Sequence, residues 1–324
     1  MHTKSRKFLS LAILLLFVIW IIFYIKGHIS EFSGILCLSL RLVATLAVVL
    51  LVDSIALGLF TKVLMDYLNI HLKFKEWYGL SIVSNLWNYI IPFQGGAGAR
   101  ALYLKKVHNF AVPQFLATML ALYFISFFVN AVIGLFCILY IYFNYHYTNI
   151  IVFFFFAVVF MTTSVLMLFS PKVPEFKNWV LRKISEVINA WYAICGQSVL
   201  VIKLILIILL HAVFELLTVY FAFQAYGVSL SFVKCLLLST LLAFSVLIKI
   251  TPGSLGVTEG IIVFGAQIFG IPPAQSLLAA GLIRVVNLVL IFTLGPVYNY
   301  VLSLNLKMTN NADVIPGNGR DFRR

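Results

Sequence analysis

Six ionisable side chains interrupt stretches that are otherwise apolar: Asp53, Arg100, Glu215, Lys249, Glu259 and Arg284. A charge at the centre of a bilayer costs about 2.5–3.5 kcal/mol on insertion scales, so each needs a partner or a purpose. His211 and Glu215 are about one helical turn apart, as are Arg284 and Asn287, and each pair would share a helix face. Two uses of such a set stay open. The charges can hold a bundle together, Asp53 pairing with Arg41 or Arg284 and Glu259 with Lys249 or Arg284. They can also line one polar cavity. There Arg100 and Arg284 attract an anion such as phosphate, while Asp53, Glu215 and Glu259 balance them or carry protons. The set as a whole favours the cavity. Arg41, near the start of its apolar stretch, is expected to snorkel to the outer interface.

Other chemistry has less to build on. No Ser-His-Asp set, DxD motif or metal cluster stands out, although His211 and Glu215 could act as a base pair. Cys37, Cys137, Cys195 and Cys235 form no CxxC motif and mostly sit in apolar runs, as small buried hydrophobes do. The histidines (His2, His28, His71, His108, His146 and His211) are scattered. Neither a metal nor another cofactor is expected.

Composition narrows the class. Of 324 residues, 63% are hydrophobic and 10% charged, with a mean hydropathy of +1.07. A soluble domain carries about 25% charge, and disorder requires low hydrophobicity. Both are excluded, which leaves an all-α polytopic membrane protein with room for roughly six to nine crossings of ~20 residues each. The net charge of +13 reflects Lys and Arg collecting in cytoplasmic loops and implies no nucleic-acid partner.

About six full spans are expected, at 8–25, 34–61, 113–143, 149–169, 203–225 and 273–303. Lys4, Arg6 and Lys7 precede the first, and no small-residue cleavage site follows it, so it reads as a retained span rather than a signal peptide. In 171–200 the residues Trp179, Val180, Ile184, Val187, Ile188 and Trp191 recur at helical spacing among Lys172, Arg182, Lys183 and Glu186, which suits a helix on the membrane surface. Tyr140, Tyr142, Tyr145 and Tyr147 suit an aromatic belt at the outer face. The transmembrane domain takes in 1–306, and the polar tail 307–324 reads as disordered and cytoplasmic.

Two segments fit no full span. One runs apolar to Ile91, breaks at Pro92-Phe-Gln-Gly95-Gly96-Ala-Gly98 and resumes to Val107. The other breaks at Thr251-Pro252-Gly253-Ser-Leu-Gly256-Val-Thr-Glu259 and resumes to Gly270. The spacing from Pro92 to Gly96 equals that from Pro252 to Gly256. Pro113 follows Pro92 at the interval by which Pro273 follows Pro252. The offset between the two sets is half the chain, so 34–145 and 203–303 read as repeats. Placing most of the 23 Lys and Arg inside requires each broken segment to dip in and return, from opposite faces. The expected fold is therefore six spans plus two broken re-entrant hairpins in inverted-topology repeats, with both termini cytoplasmic. Broken helices of inverted repeats that meet near the midplane are a transporter design. The N-terminus of a short helix after a break attracts anions.

The stretches Asn88-Tyr-Ile-Ile-Pro92-Phe-Gln-Gly-Gly96-Ala-Gly-Ala-Arg100-Ala-Leu-Tyr-Leu-Lys-Lys106, Thr251-Pro-Gly-Ser-Leu-Gly256-Val-Thr-Glu259-Gly and Gly270-Ile-Pro-Pro-Ala through Arg284-Val-Val-Asn287 resemble motifs of the lysylphosphatidylglycerol synthase transmembrane (flippase-like) family. The order and spacing fit roughly residues 5–305. Three positions depart from the pattern. Ala97 stands where an acidic residue is usual, Thr258 where an Arg often precedes the Glu, and Tyr123 and Phe124 where the third helix often carries an Arg. The resemblance implies a bacterial or archaeal inner-membrane protein. In the fused members this module is thought to flip a lipid made by an attached aminoacyl-transferase domain. No such domain is seen in this chain, so it is not expected to make lysyl-lipid.

The leading expectation is a lipid translocase, not an enzyme. An anionic or modified phospholipid, or a polyisoprenyl phosphate, would pass between the two breaks, guided by Arg100, Glu259, Arg284, Asn287, Asp53 and Glu215. The alternative is a non-transporting subunit that anchors or presents lipid to a glycosyl- or acyltransferase. A membrane-embedded enzyme acting on a lipid-linked substrate ranks below both. Membrane lipids are the expected partners, with a lipid- or glycan-modifying transferase as a further one.

Overall fold

A computed structural model describes residues 39–146, 149–169, 172–174, 178–248 and 250–314. The predicted span 8–25 and Lys249 lie outside these residues. The described elements are α1 (Leu40–Tyr67), α2 (Phe74–Ile90), α3 (Gly95–His108), α4 (Val112–Tyr145), α5 (Ile150–Leu168), α6 (Trp179–Cys195), α7 (Ser198–Gln224), α8 (Phe232–Ala243), 3₁₀ turns at Phe244–Ile248 and Pro252–Ser254, α9 (Val257–Gln267) and α10 (Pro273–Val314). Five helices are long and apolar enough to cross a membrane: Leu40–Tyr67, Val112–Asn144, Ile150–Leu168, Ser198–Gln224 and Pro273–Leu306. They answer to the five predicted spans that fall on described residues, and the chain is a multi-pass, all-helical membrane protein. By contrast α2, α3, α8 and α9 have 17, 14, 12 and 11 residues, short of the ~20 that a crossing needs.

Local chemistry sets the helix ends. Asn69, Asn109, His146, Gly227 and Gly270 follow α1, α3, α4, α7 and α9 with positive φ, the left-handed stop that returns the next amides to the last carbonyls. Ile70 N–H, for example, reaches Met65 O at 2.8 Å. Pro113 occupies the first turn of α4, where its missing N–H costs nothing.

The order helix, short helix, break, short helix, long helix occurs twice, in α1–α4 and in α7–α10. Packing follows the same exchange. The first helix of one set, α1, lies along the first of the other, α7. The second helix of each set packs on the last helix of the other, α2 on α10 and α8 on α4.

Two segment ends differ from expectation, and α6 makes contacts beyond the expected surface. The α1 span continues to Tyr67, because Lys62 and Asp66 pair across one turn at 2.6 Å and shield each other's charge. The α10 backbone is helical to Val314, so 307–314 is not irregular tail; a long helix already nucleated extends through polar residues at small cost per residue. Finally, α6 does not simply float on lipid. Trp191 and Ile194 are buried in a core shared with α1, α2, α4 and α7, and Trp191 meets Phe124 edge-on at 5.1 Å between centroids. Leu181, Ile184 and Tyr192 stay exposed.

Candidate functional site

The first break is made by residues other than its glycines. Phe93 and Gln94 hold the left-handed conformation, with φ of 58° and 60°, which costs a residue with a Cβ roughly 1–2 kcal/mol. Gln94 is anchored at both ends of its amide: Tyr123 OH donates to its Oε1 at 2.7 Å, and its Nε2 donates to Val246 O at 3.4 Å. Gly95, Gly96 and Gly98 belong to α3. Their assignment to the break is corrected: Gly95 and Gly96 permit close approach rather than turning. A Cβ on Gly96 would fall 1.9 Å from Ser84 O, and one on Gly95 2.4 Å from Ile91 Cβ. The α3 N-terminus therefore presses on α2, and Asn88 Oδ1 accepts its Gly96 N–H at 2.9 Å. Pro92 does fall within the break.

The second break does use glycine for conformation. Gly253 and Gly256 have φ of 60° and 86°, and Ser254 lies between them at 53°. Glu259, in the first turn of α9, accepts the Gly256 N–H at 2.8 Å. Its other oxygen takes a charged hydrogen bond from Arg284 Nε. Arg284 also donates to Gly253 O at 3.1 Å and to Ser254 O at 3.5 Å. Of the predicted pairings between described residues, Glu259 with Arg284 is the one formed. The pair ties α10 to the irregular backbone that follows Pro252.

The two breaks meet at Tyr89. Its ring packs against Gly253, its hydroxyl accepts from Asn287 Nδ2 at 3.1 Å, and the Arg284 guanidinium lies 6.0 Å from its centroid.

Beside this junction a cavity of about 380 Å³ opens among α1, α2, α3, α4, α7, α8, α9 and α10, with the 3₁₀ turn at Phe244–Ile248. Asp53, Arg100, Glu215 and Asn287 line it, together with His211, Gln94 and Tyr123. Glu259 and Arg284 do not line it. Asp53 pairs with neither Arg41 nor Arg284; its Oδ1 meets His211 Nδ1 at 2.5 Å, and His211 Nε2 lies 3.6 Å from Glu215 Oε1. Arg100 is half-buried. Its Nε donates to Ser84 Oγ at 3.2 Å and its Nη1 to Thr61 Oγ1 at 3.3 Å. Among the described residues no carboxylate lies within ion-pair distance of it. The cavity thus joins a guanidinium bonded to neutral hydroxyls with an acid–histidine–acid set. No group of three His, Cys, Asp or Glu among the described residues is placed to hold a metal ion.

Several partners were not singled out in the sequence. Thr61, Ser84, Asn88, Tyr89 and Gln94 are ordinary in apolar helices, and their only signal is that they are polar within or beside an apolar run. Glu76 is another. It accepts from Lys73 N–H at 3.0 Å and Tyr103 OH at 2.8 Å, and lies 3.2 Å from His108 Nε2, while Asn305 Nδ2 donates to Tyr103 OH at 3.0 Å. That network joins the ends of α2, α3 and α10.

No curated protein matches the chain, and no solved structure does. A family profile does, and it takes in every described element of the two fourfold sets up to and including most of α10. It is that of the lysylphosphatidylglycerol synthase TM region and matches residues 7–295, so the chain belongs to this family.

Proposed function

We propose that the protein is a lipid translocase of a bacterial or archaeal inner membrane, without enzymatic activity of its own. The headgroup of an anionic or modified phospholipid, or of a polyisoprenyl phosphate, passes through the cavity between the two breaks. A volume of about 380 Å³ falls within the range of about 300–1,000 Å³ for small-molecule sites. That is room for a headgroup, while the acyl chains stay in the bilayer. The observation that carries the reading is Arg100, a cation in the cavity wall with hydroxyl partners and no carboxylate within ion-pair distance among the described residues. A guanidinium that keeps donors free of a counter-ion suits a phosphate oxygen. Family membership supports a lipid-related role.

In this reading the two sets of helices are inverted repeats and the two broken segments re-enter from opposite faces. The exchange of packing partners between the sets supports that arrangement, and the distribution of Lys and Arg supports cytoplasmic termini.

The test is protein-dependent movement of fluorescent phosphatidylglycerol and of a short-chain polyprenyl phosphate between leaflets of proteoliposomes, with inorganic phosphate as competitor. Arg100→Gln is expected to cut movement at least tenfold, about 1.4 kcal/mol, while the protein stays monodisperse. Equal movement in Arg100→Gln would sink the site. Binding without movement would favour the second reading, a subunit that presents lipid to a transferase. The exposed Leu181, Ile184 and Tyr192 beside Arg182 and Lys183 on α6 would offer such a partner a surface.

A further inference from the structure

The proposed passage of an anion leaves one part of the cavity without a task, the set Asp53, His211 and Glu215 where α1 crosses α7. Both carboxylates and the imidazole line the same cavity as Arg100. The titratable groups that face this space are Asp53 from α1, His211 and Glu215 from α7, Arg100 from α3 and Tyr123 from α4. Arg284 of α10 is turned to Glu259 and the carbonyls of the second break. Tyr78 of α2 is bonded by Ser54 at 3.3 Å, and Lys234 of α8 lies over the Phe269 ring at 5.5 Å. Glu186 of α6 is held by Lys183 at 2.8 Å.

Charge then constrains what the cavity can accept. With both acids ionised and His211 protonated, the triad and Arg100 together carry no net charge. A singly charged anion settling at Arg100 leaves one excess negative charge in a low-dielectric space, which is costly unless it is neutralised. A proton is the cheapest remedy, and Glu215 is placed to take it. Asp53 is held tightly by His211 Nδ1, whereas Glu215 lies 3.6 Å from Nε2, beyond a normal hydrogen bond.

We propose that Glu215 takes up one proton for each anion that enters at Arg100, so that the protein is a proton–anion symporter. The inference rests on the translocase reading. Its balance is simple: an O–H bond forms at a Glu215 carboxylate oxygen as the anion enters from one side and breaks as it leaves on the other. One proton and one negative charge cross together. The location fits the task, because α1 and α7 are the first helices of the two sets and any change in how the sets cross is felt at Asp53 and His211.

Two measurements test it on the full-length protein. In the first, dihexanoyl-phosphatidylglycerol, a phosphodiester with no proton of its own to exchange near neutrality, is added to purified protein in weak buffer containing a pH indicator. The expected uptake is about one proton per anion bound, falling to near zero per anion in Glu215→Gln. Arg100→Gln is expected to lose binding and uptake together. A parallel titration with inorganic phosphate separates a soluble ion from a lipid headgroup as the source of the anion. In the second, a gradient of one pH unit across proteoliposomes is expected to give about a tenfold excess of labelled phosphatidylglycerol in the leaflet on the alkaline side, and an even distribution with Glu215→Gln. Binding without proton uptake, or a Glu215→Gln protein that couples like the wild type, overturns the symport and leaves translocation standing. Phosphatidylglycerol that is neither bound nor moved overturns both.

Discussion

The Tyr89 ring rests directly on the Gly253 backbone, so that a Cβ at position 253 would lie 2.4 Å from two ring carbons. This contact brings the end of α2, at the first break, against the second break, and Gly253 also needs its φ of 60°. Gly253→Ala therefore meets two penalties, the left-handed backbone at about 1–2 kcal/mol and the ring. It is expected to lower the thermal unfolding midpoint in detergent by several degrees. Tyr89→Ala/Gly253→Ala should regain the steric part of that loss and not the conformational part. A single variant as stable as the wild type would mean that the two tips do not touch.

The glycines after the first break divide by what surrounds them. Gly96 faces a backbone oxygen that cannot yield, whereas Gly98 has nothing within 4 Å of where a Cβ would stand. Gly96→Ala is expected to prevent accumulation of folded protein. Gly98→Ala should be tolerated, and as a Gly-to-Ala change inside a helix it can gain about 0.5–1 kcal/mol. Size-exclusion profiles and unfolding midpoints of the two variants should separate clearly.

In the sequence, Arg284 reads as attracting the headgroup and Glu259 as balancing it, and a structural tie between the two stays open. The geometry makes them a tie between α10 and the irregular backbone of the second break. Removing one partner of a buried pair costs about 3–5 kcal/mol, and removing both costs less. Arg284→Met should therefore destabilise more than Arg284→Met combined with Glu259→Gln. If Arg284→Met unfolds like the wild type and loses only lipid movement, the original assignment stands instead.

The re-entrant arrangement can be read by labelling. In a chain whose four cysteines are replaced, Lys73→Cys and Lys106→Cys flank the first broken segment, and Ser229→Cys and Gln275→Cys flank the second. An impermeant thiol reagent is expected to reach the first two from one face of the membrane and the last two from the other. Lys73→Cys and Lys106→Cys labelled from opposite faces would make the first segment a full crossing.

The Glu76 network offers a test that does not depend on the cavity. Glu76 accepts from the Lys73 amide and the Tyr103 hydroxyl while buried. Glu76→Ala leaves these donors unmet, at about 1–3 kcal/mol. Its unfolding midpoint should fall, and Glu76→Gln, which keeps acceptor oxygen for one of them, should lie between.

Much of this protein follows from its sequence. Apolar runs long enough to cross a bilayer must be helices, because in lipid each backbone N–H and C=O has to be satisfied within its own segment. That is why the five spans on described residues were legible. The positions of Pro92 and Pro252 marked the breaks, since proline fixes φ and carries no N–H to continue a helix. The partners were legible only in part: Glu259 with Arg284 was among the expected pairs, and the others were not. Asp53 bonds His211 and not an arginine, and Arg100 meets Ser84 and Thr61, because contacts between helices distant in sequence depend on how their faces turn toward each other. The glycines at 95 and 96 show the same limit: their sequence neighbourhood indicates a turn, while the close approach of α3 to α2 makes them a packing requirement. Tertiary structure alone decided which ionisable residues share the cavity and which are spent holding its walls.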